Sequence, residues 1–142
     1  MNICVVYFSR TGNTKSMAEA IANSTNSSAF DITSCEPSVV ENFDMVIIGT
    51  PVEGSRPAKE ILKFIEKMPE VEGKKAIVFC TYALWKARVL KTLANKLAKK
   101  GYVTILSASK RKVKPNETDF SDTLDKIRKA ISKMSFEVAL GT

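Results

Sequence analysis

The apolar run Ile3-Cys4-Val5-Val6-Tyr7-Phe8 passes into Ser9-Arg10-Thr11-Gly12-Asn13-Thr14 and then into Lys15-Ser16-Met17-Ala18-Glu19-Ala20-Ile21-Ala22. No other stretch limits the possible folds as strongly. A β-branched run, a turn rich in hydroxyls and glycine, and a helical pattern read in that order as strand, anion loop and helix. At such a junction the unpaired N–H groups of the helix start face outward and the helix dipole favours negative charge, so the loop suits a phosphate. Ser9, Thr11 and Thr14 add hydroxyl donors, and Gly12 allows the backbone to approach closely. No Gly-Lys-Ser/Thr ending follows, which argues against a triphosphate-and-magnesium loop and favours a monophosphate ester held without metal. The same hydroxyls also suit simple helix capping. Six residues do not choose between the two.

The remaining chain alternates strand-like and helix-like patterns. The first helix is expected over 13–23 with Met17, Ala18, Ile21 and Ala22 inward. A turn-rich link at 24–28 precedes a short strand at 29–33 with one solvated edge, and 35–42, which contains Pro37, carries no pattern that assigns it. Met45-Val46-Ile47-Ile48, ending at Gly49, reads as a central parallel strand covered on both faces. A turn at Thr50–Arg56 follows, with Pro57 suited to the first turn of a helix that buries Ile61, Leu62, Phe64, Ile65 and Met68. Ala76–Cys80 is another buried strand, with Tyr82 and Trp85 just past its end. The next helix turns Val89, Leu90, Leu93, Ala94 and Leu97 inward and Lys91, Lys96, Lys99 and Lys100 outward, with Gly101 as its stop. Tyr102–Leu106 is a fifth strand and 110–115 a basic loop. Phe120, Leu124, Ile127, Ile131 and Met134 mark a last helix capped by Asp119 or Ser121. The expected fold is α/β, an open, mostly parallel sheet of five strands between two helical layers.

Composition narrows the chemistry. A length of 142 residues fits one domain, 1–142, with one site. The absence of histidine removes the commonest general base and transition-metal ligand, so any chemistry falls to a cofactor. Three cysteines, none in a Cys-x-x-Cys pair, indicate neither a disulfide framework nor a zinc site; Cys4 and Cys80 are expected as buried free thiols. No apolar run reaches the ~18 residues of a membrane span, and the chain reads as cytoplasmic.

With Ser9–Thr14 after the first strand and Ile48-Gly49-Thr50-Pro51-Val52-Glu53-Gly54-Ser55-Arg56-Pro57-Ala58 after the third, the sequence resembles the flavodoxins across nearly its whole length. The resemblance implies a doubly wound, five-stranded parallel sheet in the order 2-1-3-4-5, with FMN in the crevice between strands one and three. It further implies that Ser9, Arg10, Thr11, Gly12, Asn13 and Thr14 bind the FMN phosphate. The isoalloxazine ring would lie between Thr50, Pro51, Val52, Glu53, Gly54 and Ser55 on one side and Thr81, Tyr82 and Ala83 on the other. Gly54 corresponds to the residue whose peptide turns over to accept a hydrogen bond from the reduced ring. Glu53 stands where the family often has an aromatic or Met, so stacking falls to Tyr82 or Trp85.

A second departure from the family is charge. Lys and Arg number 22 against 15 Asp and Glu, a formal net charge of +7. The fold places Arg10, Lys15, Arg56, Lys86, Arg88, Lys110, Arg111, Lys112 and Lys114 on or near one rim, partly offset by Glu53, Glu60, Glu117 and Asp119. Such a rim is expected to steer an acidic redox partner, such as a ferredoxin, toward the flavin edge. An ordinary solvated face has the same composition. The leading expectation is an FMN-binding electron carrier without a catalytic side chain. A flavin-dependent quinone or NAD(P)H reductase on the same fold, and a flavin-free binding module, are the alternatives. Nucleic acid is disfavoured because the few aromatics are not interleaved with the basic loop.

Overall fold

The computed structural model describes residues 1–112 and 119–141. Its strands are β1 (Ile3–Tyr7), β2 (Ser28–Asp31), β3 (Met45–Glu53), β4 (Arg56–Pro57), β5 (Lys75–Tyr82) and β6 (Val103–Arg111). The sheet runs β2-β1-β3-β5-β6 with every neighbouring pair parallel, and the two-residue β4 pairs antiparallel with β3 alone. Leaving β4 aside, this is the expected order 2-1-3-4-5. Each parallel crossover carries a helical segment, and the order reverses between β1 and β3.

The helices are α1 (Asn13–Ser24), α2 (Lys59–Glu66), α3 (Val89–Ala98) and α4 (Ser121–Gly141). Strand side chains alternate between two cores. Val5, Tyr7, Met45, Ile47, Ile77 and Phe79 meet Met17 and Ile21 of α1 and Ile127 of α4. Cys4, Val6, Val46, Ile48, Ala76 and Val78 meet Ile61 and Ile65 of α2 and Leu93 and Leu97 of α3. Burial on both faces is why these strands read as unbroken apolar runs. Cys4 and Cys80 are buried free thiols, as expected, and Cys35 is half-buried.

Several boundaries move. β3 does not stop at Gly49 but runs to Glu53. Gly49 lies between Tyr7 of β1 and Phe79 of β5, and a Cβ there would come within 2.0 Å of the Phe79 ring. Its role is to make room, not to end the strand. Pro57 belongs to β4 rather than to the first turn of a helix, because it pairs with Val52; α2 begins at Lys59. The segment without an expected structure holds a 3-10 helix, Pro37–Asn42, which buries Val40. β2 ends at Asp31, whose carboxylate accepts the Thr33 N–H at 2.9 Å and turns the chain.

At the other edge β6 extends past Leu106 to Arg111, with a bulge at Ile105. Lys110 and Arg111 are strand residues opposite Thr81 and Tyr82, not part of a loop. The polar Ser107 and Ser109 concealed this, as edge strands carry polar side chains. Lys114, Pro115 and Glu117 lie outside the described residues. Asp119 caps α4 by accepting the Ser121 N–H at 2.9 Å. Among the described residues no helix is long and apolar enough to cross a membrane.

Candidate functional site

The turn after β1 is held by its own first hydroxyl. Ser9 Oγ accepts the N–H groups of Gly12 (3.2 Å) and Lys15 (3.1 Å), and the Ser16 N–H closes on the Gly12 carbonyl at 3.0 Å. Gly12, at φ 98°, occupies the N-cap of α1 in the left-handed region, which only glycine enters at little cost. Thr11 Oγ1 accepts from Asn13 Nδ2 at 3.2 Å. The N–H groups of Thr11, Asn13 and Thr14 meet no protein acceptor among the described residues. They converge at the positive end of a twelve-residue helix, a setting that fits a phosphate.

Two hydroxyls of the expected site, that of the donor Thr14 and that of the ring-side Thr50, are occupied elsewhere. Thr14 Oγ1 lies 2.7 Å from Thr81 Oγ1, both buried, so this hydroxyl pair bolts α1 to the end of β5. Thr50 Oγ1 donates to the Pro51 carbonyl at 2.9 Å and accepts the Ala58 N–H at 3.0 Å, bracing the entry to α2. Both threonines support the rim from beneath. Thr14 can present its N–H to the loop; its hydroxyl is already engaged.

Arg10 spans two carboxylates. Its guanidinium holds Glu53 in a two-pronged pair, Nε to Oε2 and Nη2 to Oε1 at 2.9 Å, and reaches Glu60 Oε2 at 2.7 Å. The cation also sits 4.8 Å above the Phe8 ring. The hydrogen bonds to Glu53 and then Glu60 raise the Arg10 pKa above its ordinary value. Burial opposes ionisation of Glu60, but hydrogen bonds from Arg10 and the backbone outweigh it and hold that carboxyl below its usual range. Glu60 Oε1 is buried without a hydrogen-bond partner. Arg10 is therefore a tie between the loop at 9–14 and the hairpin at 53–56, and is no longer a free rim cation. Sequence reasoning missed this three-residue cluster, since 43 and 50 positions separate its pairs.

The hairpin itself is tight. Glu53 pairs with Arg56, and the intervening Gly54 and Ser55 have φ of 57° and 63°. Two central residues with positive φ make the type I′ turn that matches strand twist. Opposite it, the loop after β5 is stitched down on two sides. Trp85 Nε1 donates to Ser55 Oγ at 3.1 Å, and Arg111 Nε donates to the Ala83 carbonyl at 3.0 Å. Val52, Gly54, Ser55, Ala83, Leu84 and Trp85 line a cleft of about 200 Å³ between them. Tyr82, half-buried at the end of β5, flanks this cleft without lining it. A larger cavity of about 570 Å³ opens at the opposite end of the sheet, beside Lys74 and Lys75 at the start of β5. Ligands of doubly wound sheets sit at the carboxyl ends, where the smaller cleft lies.

Residues 4–114 match the family model described as the flavodoxin domain. An uncharacterized protein of Methanocaldococcus jannaschii is 32% identical over 92 residues, which cover 63% of this chain and 61% of that protein. The match thus spans about three-fifths of the curated relative. In structure, oxidised flavodoxin 1 from Bacillus cereus superposes with a TM-score of 0.77 at 26% identity, covering 93% of this chain and 98% of its own. Rubredoxin oxygen:oxidoreductase from Desulfovibrio gigas gives a TM-score of 0.81 at 18% identity; 99% of this chain covers 37% of that one.

Proposed function

This chain belongs to the flavodoxin domain family, and from that premise we propose that it holds FMN at the carboxyl ends of its strands and carries electrons between redox proteins. One observation carries the reading. The unpaired N–H groups at the start of α1 and the cleft between Gly54–Ser55 and Ala83–Trp85 share one rim, and Arg10 ties the two halves together. A phosphate end and a flat-ring end at one site are what a flavin mononucleotide requires.

In this reading Thr11, Asn13 and Thr14 hold the phosphate through backbone N–H groups, with Thr11 adding its hydroxyl, while Gly12, whose N–H is taken by Ser9, lets the backbone approach closely. Ser9 fixes the loop from within. Glu53, Gly54 and Ser55 form one wall of the ring site, and Thr81, Tyr82 and Ala83 the other, with Trp85 bridging the mouth. FMN, when bound, supplies reversible electron uptake. The protein supplies orientation and charge: Arg10 offsets Glu53, and Arg56 adds a positive group beside Ser55. A positive surround favours the anionic reduced ring, so the two one-electron potentials should lie close together. The proposed setting is the cytoplasm, where Cys4, Cys35 and Cys80 stay reduced.

The test is an absorbance spectrum after FMN is added and the excess removed. Two visible bands that travel with the protein and weaken in Thr11→Ala support the reading; a colourless protein under saturating FMN overturns it. Steady NADPH oxidation by the loaded protein alone would replace the carrier with a reductase.

A further inference from the structure

Leu84 and Trp85 are 71% and 60% exposed, the two most exposed large apolar side chains among the described residues. They stand at the tip of the loop after β5. Hydrogen bonds place a ring of cations around them. Trp85 bonds Ser55, whose neighbour is Arg56; Arg111 bonds the Ala83 carbonyl; and Lys86 Nζ lies 3.4 Å from Ser109 Oγ, beside Lys110. The Lys112 N–H bonds the Tyr82 carbonyl, and Arg88 is the N-cap of α3.

These cations differ from the others on the rim. Arg10 is taken by Glu53 and Glu60, and Lys15 lies 3.9 Å from Glu19. Among the described residues none of Arg56, Lys86, Arg88, Lys110, Arg111 and Lys112 forms a salt bridge. Among the described residues, Glu53 lies opposite Arg56 in the hairpin but is held by Arg10, and Asp119 is kept ionised by its hydrogen bonds to Ser121 and then by Lys110. Arg88 also sits where local stability favours the opposite charge. The start of α3 is a positive dipole end with no acid in its first turn, so the arginine adds to the field that an Asp or Ser would relieve. Six cations without a salt bridge among the described residues, one of them Arg88 placed against the preference of its own helix, around an exposed apolar pair are complementary to an acidic surface with an apolar centre.

We propose that the Leu84–Trp85 loop, with its six surrounding cations, is the docking surface for an acidic one-electron carrier protein. The proposal rests on the FMN reading and assigns the contact to the 83–88 loop and the end of β6, not to the loop at 9–14. Trp85 is the apolar anchor, packed between partner and hairpin, and the cations set encounter rate and register. In the transfer that follows, the donor is oxidised by one electron and the bound flavin is reduced by one.

The chain has one tryptophan, so its labelled indole N–H gives a single NMR signal at the proposed contact. The FMN-loaded protein is titrated with an oxidised acidic iron–sulfur ferredoxin as probe. The expected result is a shift of that signal at low salt, with affinity falling about tenfold on raising ionic strength from 0.05 to 0.3 M. Lys86→Glu/Arg88→Glu/Lys112→Glu should bind the ferredoxin about 100-fold more weakly and keep its FMN absorbance. An unmoved indole in a protein that holds FMN overturns the docking surface and leaves the flavin reading intact. A protein that never takes up FMN overturns the flavin reading first. A signal that moves with single-stranded DNA but not with the ferredoxin would assign the patch to nucleic acid and overturn the proposal.

Discussion

The hydroxyls of Thr14 and Thr81 meet 2.7 Å apart in the core, joining the first turn of α1 to the end of β5 across 67 positions of sequence. The pair aligns the phosphate end of the site with the ring end. Thr14→Val or Thr81→Val alone leaves a buried hydroxyl without a partner, at a cost of about 1–3 kcal/mol. The double variant removes both polar groups and should recover most of that loss. Denaturant unfolding of the four proteins checks this, and additive losses would show that the two hydroxyls do not depend on each other. Thr14→Val should also keep FMN affinity close to wild type, because only its N–H faces the loop.

Arg10 and Glu53 give a second coupling. Arg10→Gln and Glu53→Gln should each weaken FMN binding by about fivefold, with the double variant no worse than either alone. Folding stability should change little, since the pair is half-exposed. Glu60 adds a pH dependence. Its carboxyl titrates below the ordinary value of 4.5, so its contribution is present above pH 4.5 and is lost as pH falls through the lowered value. FMN affinity measured from pH 7 to 3.5 should hold to about pH 4.5 and drop only below it, and Glu60→Gln should flatten the drop.

Gly49 is a matter of volume. In Gly49→Ala the new methyl would meet the Phe79 ring, which is fully buried and flanked by strands. The expected loss is about 3 kcal/mol, at the upper end for overpacking. Phe79→Leu should relieve part of it when combined with Gly49→Ala, whereas alone it destabilises. Thermal melts of the single and double variants decide whether the glycine serves space or turn geometry.

Burial sets an alkaline limit. It pushes the Cys4 and Cys80 thiols up to about 12 from 9.0, and the Tyr102 phenol up to about 12 from 10.0. A group whose folded pKa is raised contributes stability fully below its unfolded pKa and loses it as pH rises toward the folded one. Stability should be flat to about pH 9 and then fall by about 1.4 kcal/mol per pH unit for each group titrating. Cys4→Ala should have lower stability at pH 7 but a shallower fall between pH 9 and 11. An equal slope would show that the thiol is solvated in the fold.

The strand-loop-helix unit, the two buried thiols and the outward Lys91 and Lys99 were legible because local chemistry and pattern period specify them, whereas the strand order came from the resemblance to the flavodoxins. Met17, Ile21, Ile61, Phe64, Leu93 and Leu97 all lie where helical spacing placed them. Boundaries were less legible where a residue has two uses. Gly49 resembles a stop and is a gap for Phe79; Pro57 resembles a helix start and is half of β4. Ser107 and Ser109 resemble a loop and lie in an edge strand.

For the candidate site, the strand, turn and helix around it nominated Ser9–Thr14, and the resemblance to the flavodoxins nominated Thr50–Ser55 and Thr81–Ala83; a parallel sheet brings such loops to one rim whatever their content. Which atoms remain available there depended on contacts over long separations. Thr14 spends its hydroxyl beneath the rim on Thr81, Arg10 is bound to Glu53 and Glu60, and Trp85 reaches back to Ser55. The reason is physical. Periodicity and turn chemistry act over a few neighbouring residues and are written into the chain, whereas the pairing of polar groups is set by packing, which brings positions 30 to 67 apart within hydrogen-bonding distance only after the sheet has formed.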